Sequence, residues 1–331
     1  MQENAIDAVV TWVDGSDRAH QAKRAAALDS TRRLSPKAIP GGRNQTRFAD
    51  SDEIRYCLHA IRRFMPWIRT IHLVTDNQRP GFLDAETCVR LGVVLVDHAT
   101  IFRGYEWALP TFNSRTIETM LHRVPGLADR YIYFNDDVLV LEPCGPDDFF
   151  LEDGIILRGK FKSLEKFGPL RIGLSALVNN FAELVLGKVR SMHVLSEMKA
   201  ARLAGLTSSF LEASHVPFPV RKATVETFFN AHARAMTENI RHKFRHMDQF
   251  LTMSLASHLE IAHGHSDLSP KQDDLILCFN RDSQESLDRK VERLESEAIR
   301  FLCLQGFERA SPSHRDRVIS LIEKKLAIEA V

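Results

Sequence analysis

The sequence predicts an α/β fold: a mostly parallel sheet covered by helices, with a more helical C-terminal part. Three observations predict it. Short runs of β-branched and aromatic residues alternate with amphipathic helical stretches through the first half. Three of these runs, "VVTWVDGSD", "HLVTDNQ" and "IYFNDD", pass directly into acid-containing ends. The second half carries mainly helical spacing and few strand signals.

Taken in order, residues 5–13 read as a strand and the Ala/Arg/Lys-rich residues 18–29 as a helix. "DSDEIRYCLHAIRRFM" (50–65) opens with Asp50 and Glu53 at the spacing of a helix cap. Its apolar residues Ile54, Cys57, Leu58, Ile61, Phe64 and Met65 recur at helical intervals, which leaves Asp52, Arg55, His59 and Arg62 opposite. Strands are expected at 70–76 and 92–98 around a short helix at 84–90. A helix running from Asn113 or Ser114 to Arg123 then precedes a strand over 130–140. Later helices are expected at 192–204, 224–237, 283–302 and 312–328. The third of these has Asp282 and Glu285 as a cap pattern, and the fourth has Ser311 as cap with Pro312 in the first position. This organisation divides into an α/β core (1–150), a variable segment (151–213) and a helical part (214–331).

Composition narrows the class. The chain has 331 residues, 44% hydrophobic and 26% charged, with a formal net charge of +1, so bulk electrostatics point to no nucleic-acid partner. Its 5 cysteines are scattered without a C-x-x-C pair, which argues against a disulfide framework or zinc site and for a reducing compartment. The N-terminal residues lack a signal-peptide pattern, and no apolar run reaches the roughly 20 residues of a membrane span. A cytoplasmic location is expected.

The chemistry concentrates in "RYIYFNDDVLV" (130–140), where Asn135, Asp136 and Asp137 interrupt an apolar run. Adjacent carboxylates repel and are costly to desolvate, so they serve either as a hydrated turn or as a seat for Mg²⁺ or Mn²⁺. Parallel sheets bind ligands beyond the carboxyl ends of their strands. If the three acid-tipped strands are neighbours, their ends form one crevice. Asp14, Gly15 and Asp17 close the first strand, where an acid can accept from a ribose or uracil and Trp12 offers a stacking face. A plain turn with Asp17 capping the next helix fits the same residues. Asp76 and Asn77 end a second strand. Asn113 and Ser114 begin a helix, a position suited to phosphate or to simple capping. His215, in the Pro-punctuated loop "SHVPFP", is a candidate general base or an ordinary surface histidine. Arg241 and Arg245, in "RHKFRHMDQF", match phosphate oxygens or form a solvated face.

Together these stretches resemble the Stealth family of sugar-phosphate transferases, which includes bacterial capsule polymerases and the α/β subunits of animal N-acetylglucosamine-1-phosphotransferase. "IDAVVTWVDGSD" (6–17) is similar to the first family motif. The second is similar to "RFADSDEIRYCLHAIRRFMPWIRTIHLVTDNQRPGFL" (47–83), "VVLVDHATIF" (93–102) and "LPTFNSRTIETMLHRVPGLADRYIYFNDDVLV" (109–140). The third resembles "SHVPFPVRKATVETFF" (214–229) with "ENIRHKFRHMDQF" (238–250), and the fourth resembles "RFLCLQGF" (300–307). Two departures stand out. Gln305-Gly306 replaces the usual Asn-Asp of the fourth motif, and residues 155–210 match little.

The resemblance implies a Rossmann-like, GT-A-type nucleotide-sugar-binding sheet and transfer of a sugar-1-phosphate from a UDP-sugar to a hydroxyl of a glycan acceptor, releasing UMP. It implies capsule or exopolysaccharide synthesis, with peripheral association at the inner membrane face left open. It places Mg²⁺ (or Mn²⁺) on Asp136 and/or Asp137, with Asn135 orienting the metal shell or a phosphate oxygen. His215 takes the acceptor proton, while Arg245 and Arg241 stabilise the phosphoryl group. Asp14, Gly15 and Asp17 contact the nucleotide, and Arg47, Asp52 and Arg55 line the donor site. An acceptor-facing role falls to residues 151–213. The rivals are a metal-dependent glycosyltransferase releasing UDP and a non-catalytic nucleotide-sugar-binding protein. A covalent route through one aspartate is also chemically open.

Overall fold

The computed structural model describes residues 5–30, 52–164 and 193–327. Its centre is a five-stranded sheet made of β1 (Ile6–Thr11), β2 (Ile71–Thr75), β3 (Val93–Asp97), β4 (Arg130–Asn135) and β10 (Phe218–Arg221), in the order β10-β4-β1-β2-β3. Four strands are parallel, and only β10 runs antiparallel, against β4. The protein is therefore mixed α/β with a central, mainly parallel sheet, as the alternation in its first half predicts. The three acid-tipped strands are neighbours: Thr11 is in register with both Val74 and Asn135, so β4, β1 and β2 end at one edge.

Alternation along the strands builds a core on each face. Ala8, Val10, Leu73, Ile132 and Phe134 point into one cluster, which contains Ile54, Cys57, Leu58 and Ile61 from helix α2 (Glu53–Phe64). All six apolar residues predicted for that helix are buried. Val9, Val74, Tyr131 and Tyr133 point into a second cluster. That cluster includes Ile117 and Met120 of α5 (Ser114–Met120) and residues of α7 (Lys222–Ala231), α8 (Ala233–Ile240) and α9 (Thr252–His263). Burying a side chain of this size fully is worth about 1.5–3 kcal/mol, so the sheet is fixed from both sides.

The remaining elements are helices α1 (Arg18–Ser30), α3 (Ala85–Leu91), α4 (His98–Ile101), α6 (His193–Leu203), α10 (Gln284–Ser296) and α11 (Pro312–Leu326). Short strands complete three small sheets: β5 (Val138–Val140), β6 (Phe150–Leu151), β7 (Gly154–Leu157), β8 (Gly159–Ser163), β9 (Ser209–Ala213), β11 (Ser266–Leu268), β12 (Asp274–Cys278) and β13 (Phe301–Gln305). β5 pairs antiparallel with β13, which lies parallel to β12.

Several expectations change. The strand expected over 130–140 is two strands in two sheets, and Asp136 and Asp137 form the turn between them. The helix expected to reach 302 stops at Ser296, and Phe301, Leu302, Cys303 and Leu304, all buried, form strand β13 between β12 and β5. Its cap is Ser283, which accepts from Ser286 N, while Asp282 binds Cys278 N and Lys290. The helix expected over 224–237 breaks at His232 into α7 and α8. Ser311 and Pro312 start α11 as expected. Asp50 lies outside the described residues, and α2 begins after Asp52, whose φ is 69° and whose side chain makes no capping bond.

Candidate active site

The Asp136–Asp137 turn sits where the central sheet meets the smaller one. Leu304 N donates to Asp137 O at 2.9 Å, and the Cys303 thiol lies 3.9 Å from Asp137 Oδ2, so β13 walls one side. Helix α2 walls another, its Cys57 thiol 3.9 Å from Asn135 O. Burial pushes the Asp137 carboxyl up to about 6, against the opposing pull of its own backbone, Cys303 and Arg245. The charged carboxylate is thus under-compensated by the protein alone.

Tyr133 ties the neighbouring strand ends together. Its hydroxyl lies 3.1 Å from Thr11 Oγ1 and donates to Asn135 Oδ1 at 2.8 Å. Glu118, on α5, stands 3.5 Å from the same hydroxyl. Burial pushes the Glu118 carboxyl up, although Arg245 and Arg115 draw it down. Arg245 donates to Ser114 Oγ at 2.8 Å. Burial lowers its guanidinium, which Glu118, Tyr133 and Asp137 all act to keep protonated. Arg245 therefore belongs to the same constellation as the aspartates.

His215 arrives on the other side. Phe218 of β10 is opposite Tyr133 of β4 in an antiparallel pair, so the residues before β10 pass the carboxyl end of β4. The His215 ring stands edge-on to His193, with centroids 5.4 Å apart. Burial, then His193 and Arg281, hold its imidazole down at about 4, so it is an unprotonated acceptor at neutral pH.

Other predicted residues have mainly structural contacts. Asp17 Oδ1 accepts from His20 N at 2.7 Å, capping α1. Asp14 Oδ1 accepts from Ser16 N, while the Gln78 amide clamps the Asp14 backbone at 2.9 and 2.8 Å. Gly15 sits in this turn, its carbonyl accepting from Gln21. Trp12 is buried in the core, which removes it as a stacking face. Asp76 is bound by His20 and Lys23 at 3.0 Å each, and Asn77 follows with φ 53°. Asn113 is 1% exposed; its side chain accepts from Arg115 N and donates to His242 O and Gln249 Oε1, leaving nothing for phosphate. Arg241 is exposed and paired to Glu238 at 2.8 Å, away from these contacts. Asp52 precedes α2 and Arg55 lies in its first turn, on the helix that carries Cys57. Arg47 lies outside the described residues.

Sequence reading missed Glu118 and Tyr133. Their signal was present: Glu118 lies four residues after Ser114 on the same short helix, hence on the same face. Tyr133 precedes Asn135 by two in a strand and shares its side.

The donor set also bears on Mg²⁺ or Mn²⁺. Among the described residues no group of three or more His, Cys, Asp or Glu side chains is arranged to hold a metal. Two adjacent carboxylates with the Asn135 amide nonetheless fit a hard cation whose other ligands are water and substrate phosphate. The raised Asp137 carboxyl is what such a cation would bring down.

Fold and site together define an α/β protein with carboxylates and a buried arginine at the carboxyl edge of a parallel sheet, and with the His215 segment passing that edge. Residues 4–32 match the model of Stealth protein conserved region 1, and residues 47–158 that of conserved region 2. The capsular polysaccharide phosphotransferase WcwK of Streptococcus pneumoniae is 30% identical over 259 residues, covering 73% of this chain and 74% of that protein. This chain belongs to the Stealth family. It is also 40% identical to the capsular polysaccharide phosphotransferase cps1A of Actinobacillus pleuropneumoniae, over 47% of this chain and 41% of that one. It is 43% identical to the exopolysaccharide phosphotransferase SCO2592 of Streptomyces coelicolor, over 45% of this chain. The matched region spans only 15% of that relative's length. Among solved structures, the galactosyltransferase LgtC in complex with donor and acceptor sugar analogs aligns over 98% of this chain and 97% of its own. The TM-score is 0.45 and the identity 11%.

Proposed function

We propose that this protein transfers a sugar-1-phosphate from a UDP-sugar to a hydroxyl of a glycan acceptor, releasing UMP, in capsule or exopolysaccharide synthesis. The observation that carries the reading is that Arg245 acts electrostatically on Asp137 at the end of β4, while the segment before β10, which holds His215, passes the same strand end. The names of its phosphotransferase relatives support the same chemistry.

In this mechanism Asp136 and Asp137 would hold Mg²⁺ (or Mn²⁺), which would neutralise pyrophosphate charge. Asn135, held by the Tyr133 hydroxyl, orients a phosphate oxygen or would help hold the ion. Arg245, fixed by Ser114, stabilises negative charge on the transferring phosphoryl group. His215 Nδ1 or Nε2 takes the proton of the attacking hydroxyl. An imidazole held near 4 is a weak base, but the negative charge of a bound diphosphate raises its proton affinity where transfer occurs.

The test is incubation with a panel of UDP-sugars, Mg²⁺ and a glycan acceptor, reading the nucleotide released. UMP is expected. UDP would move the attack to the sugar carbon and make the protein a glycosyltransferase. In the same assay, His215→Ala is expected to lower turnover by about 10²–10⁴-fold while UDP-sugar affinity changes only a few-fold. Near-wild-type turnover would remove His215 from the mechanism.

A further inference from the structure

The Asp136–Asp137 turn has a wall that the proposed mechanism leaves unused: the β13 end and the turn after β12. Cys303 is opposite Val138 in the antiparallel β5–β13 pair, so the strand carries Leu304 and then Gln305 alongside Asp137 and Asp136. Gln305 does not end in solvent. Its Oε1 accepts from Arg281 Nη2 at 2.8 Å and from the Cys278 thiol at 3.1 Å, and Arg281 Nε donates to Cys278 Sγ at 3.2 Å. A three-residue clamp therefore holds an exposed guanidinium at the edge of the site.

The clamp is made of neutral acceptors. Neither an amide oxygen nor a thiol neutralises a guanidinium, and among the described residues no carboxylate forms an ion pair with Arg281. Asp282, its nearest acidic neighbour in sequence, bonds Lys290 at 2.6 Å, and Arg281 acts on it only through space. Arg245 is held in the same style, by the Ser114 hydroxyl. Arg281 also lies within electrostatic range of His215, whose protonation it opposes from 66 positions further along the chain. The backbone around Gln305 is tightly specified. Gly306 has φ 74°, and a Cβ there would stand 2.3 Å from the Asn280 side chain, so the β13 end and the Arg281 turn interlock.

We propose that Arg281, positioned by Gln305, binds a phosphate oxygen of the donor diphosphate across the site from Arg245. This rests on the nucleotide-sugar reading above and adds to it a second arginine and a role for the Gln305-Gly306 segment. Arg281 supplies the fork that matches phosphate oxygens, and Gln305 is a positioning residue that acts through it.

The test separates this idea from the reading it extends. Binding of UDP and of inorganic pyrophosphate, each with Mg²⁺, is measured by calorimetry for wild type, Arg281→Ala, Arg281→Lys and Gln305→Ala, beside UMP release from a UDP-sugar. Arg281→Ala is expected to weaken UDP and pyrophosphate binding by about 10- to 100-fold with an unchanged Tm, since the side chain is exposed. Arg281→Lys should restore part of the affinity, and Gln305→Ala should raise donor KM more than it lowers kcat. Arginine-dependent pyrophosphate binding without UMP release would sink the enzymatic reading and leave the anion site standing. UMP release with donor affinity unchanged in Arg281→Ala would do the reverse. Wild-type protein that binds neither UDP nor pyrophosphate would overturn the proposal outright.

Discussion

Burial at Asp137 disfavours the very charge that the turn displays, a conflict common where carboxylates meet ligands. A carboxyl raised to about 6 in the folded protein ionises less readily than in the unfolded chain, so its ionised form costs stability at neutral pH. Asp137→Asn is therefore expected to hold or raise Tm in metal-free buffer while cutting turnover by orders of magnitude. A Tm lower by several degrees would show that Asp137 is structural instead. Tyr133→Phe addresses the positioning of Asn135: losing one buried hydroxyl should cost about 1 kcal/mol and reduce kcat more than donor affinity. Unchanged kcat would detach the Thr11–Tyr133–Asn135 chain from the chemistry. At this scale the sequence was only partly legible. Asp136, Asp137, His215 and Arg245 stood out because polar residues broke an apolar run or punctuated a loop. Glu118 did not, since a glutamate on a short helix looks like a solvated face until α9 and β4 are packed over it. Asn113 and Arg241 carried the same local signals as working residues, but one is consumed as an interior cap and the other pairs on the surface.

Among the elements, α1 shows how an acid-tipped strand can serve architecture. Asp76, at the end of β2, binds His20 and Lys23 and so pins α1 to the sheet edge. Asp76→Ala is expected to destabilise the protein by about 1–3 kcal/mol, because it strips partners from His20, which is 2% exposed. The direct readout is chemical denaturation, and a midpoint equal to wild type would contradict this assignment. The elements with one-sided periodicity, such as α2, were legible because only one face of each is buried. β13 was not: its run Phe301–Leu304 is buried on both sides, and continuous hydrophobicity carries no period that separates strand from helix. The 130–140 segment failed for a different reason. Nothing local announces that a chain leaves one sheet for another, and the acids at the break are what permit it.

Across the whole molecule, the sheet's two cores are locked by buried charge as well as by apolar area. Asp7 is fully buried at the start of β1. Burial would raise its carboxyl, but hydrogen bonds from His72, Arg69 and Ala128 outweigh it and hold it down at about 2. Asp76 is likewise held at about 2, first by His20, then against burial with the help of Lys23. Folded-state values below the unfolded 3.8 mean that this stabilisation is complete above about pH 4 and fades as pH falls toward 2. Each group contributes on the order of 2 kcal/mol. Acid titration of the unfolding free energy should show a loss between pH 4 and 2 that shrinks in Asp7→Asn, measured relative to that variant's own neutral value. An identical acid profile would mean that these carboxylates do not govern acid stability. The general layout, a parallel sheet with its ligand edge at three neighbouring acid-tipped strands, was legible because it follows from chain alternation and the rule for carboxyl edges. The closing wall of β12 and β13 was not, because long-range pairing leaves little local trace.

The central claim is that the attacked atom is phosphorus. A UDP-sugar labelled with ³²P in the phosphate next to the sugar, incubated with Mg²⁺ and a glycan acceptor, tests it most directly. The label should appear in the glycan product, with unlabelled UMP released and transfer lost in Asp137→Asn. Label recovered in UDP, with none in the glycan, would contradict it.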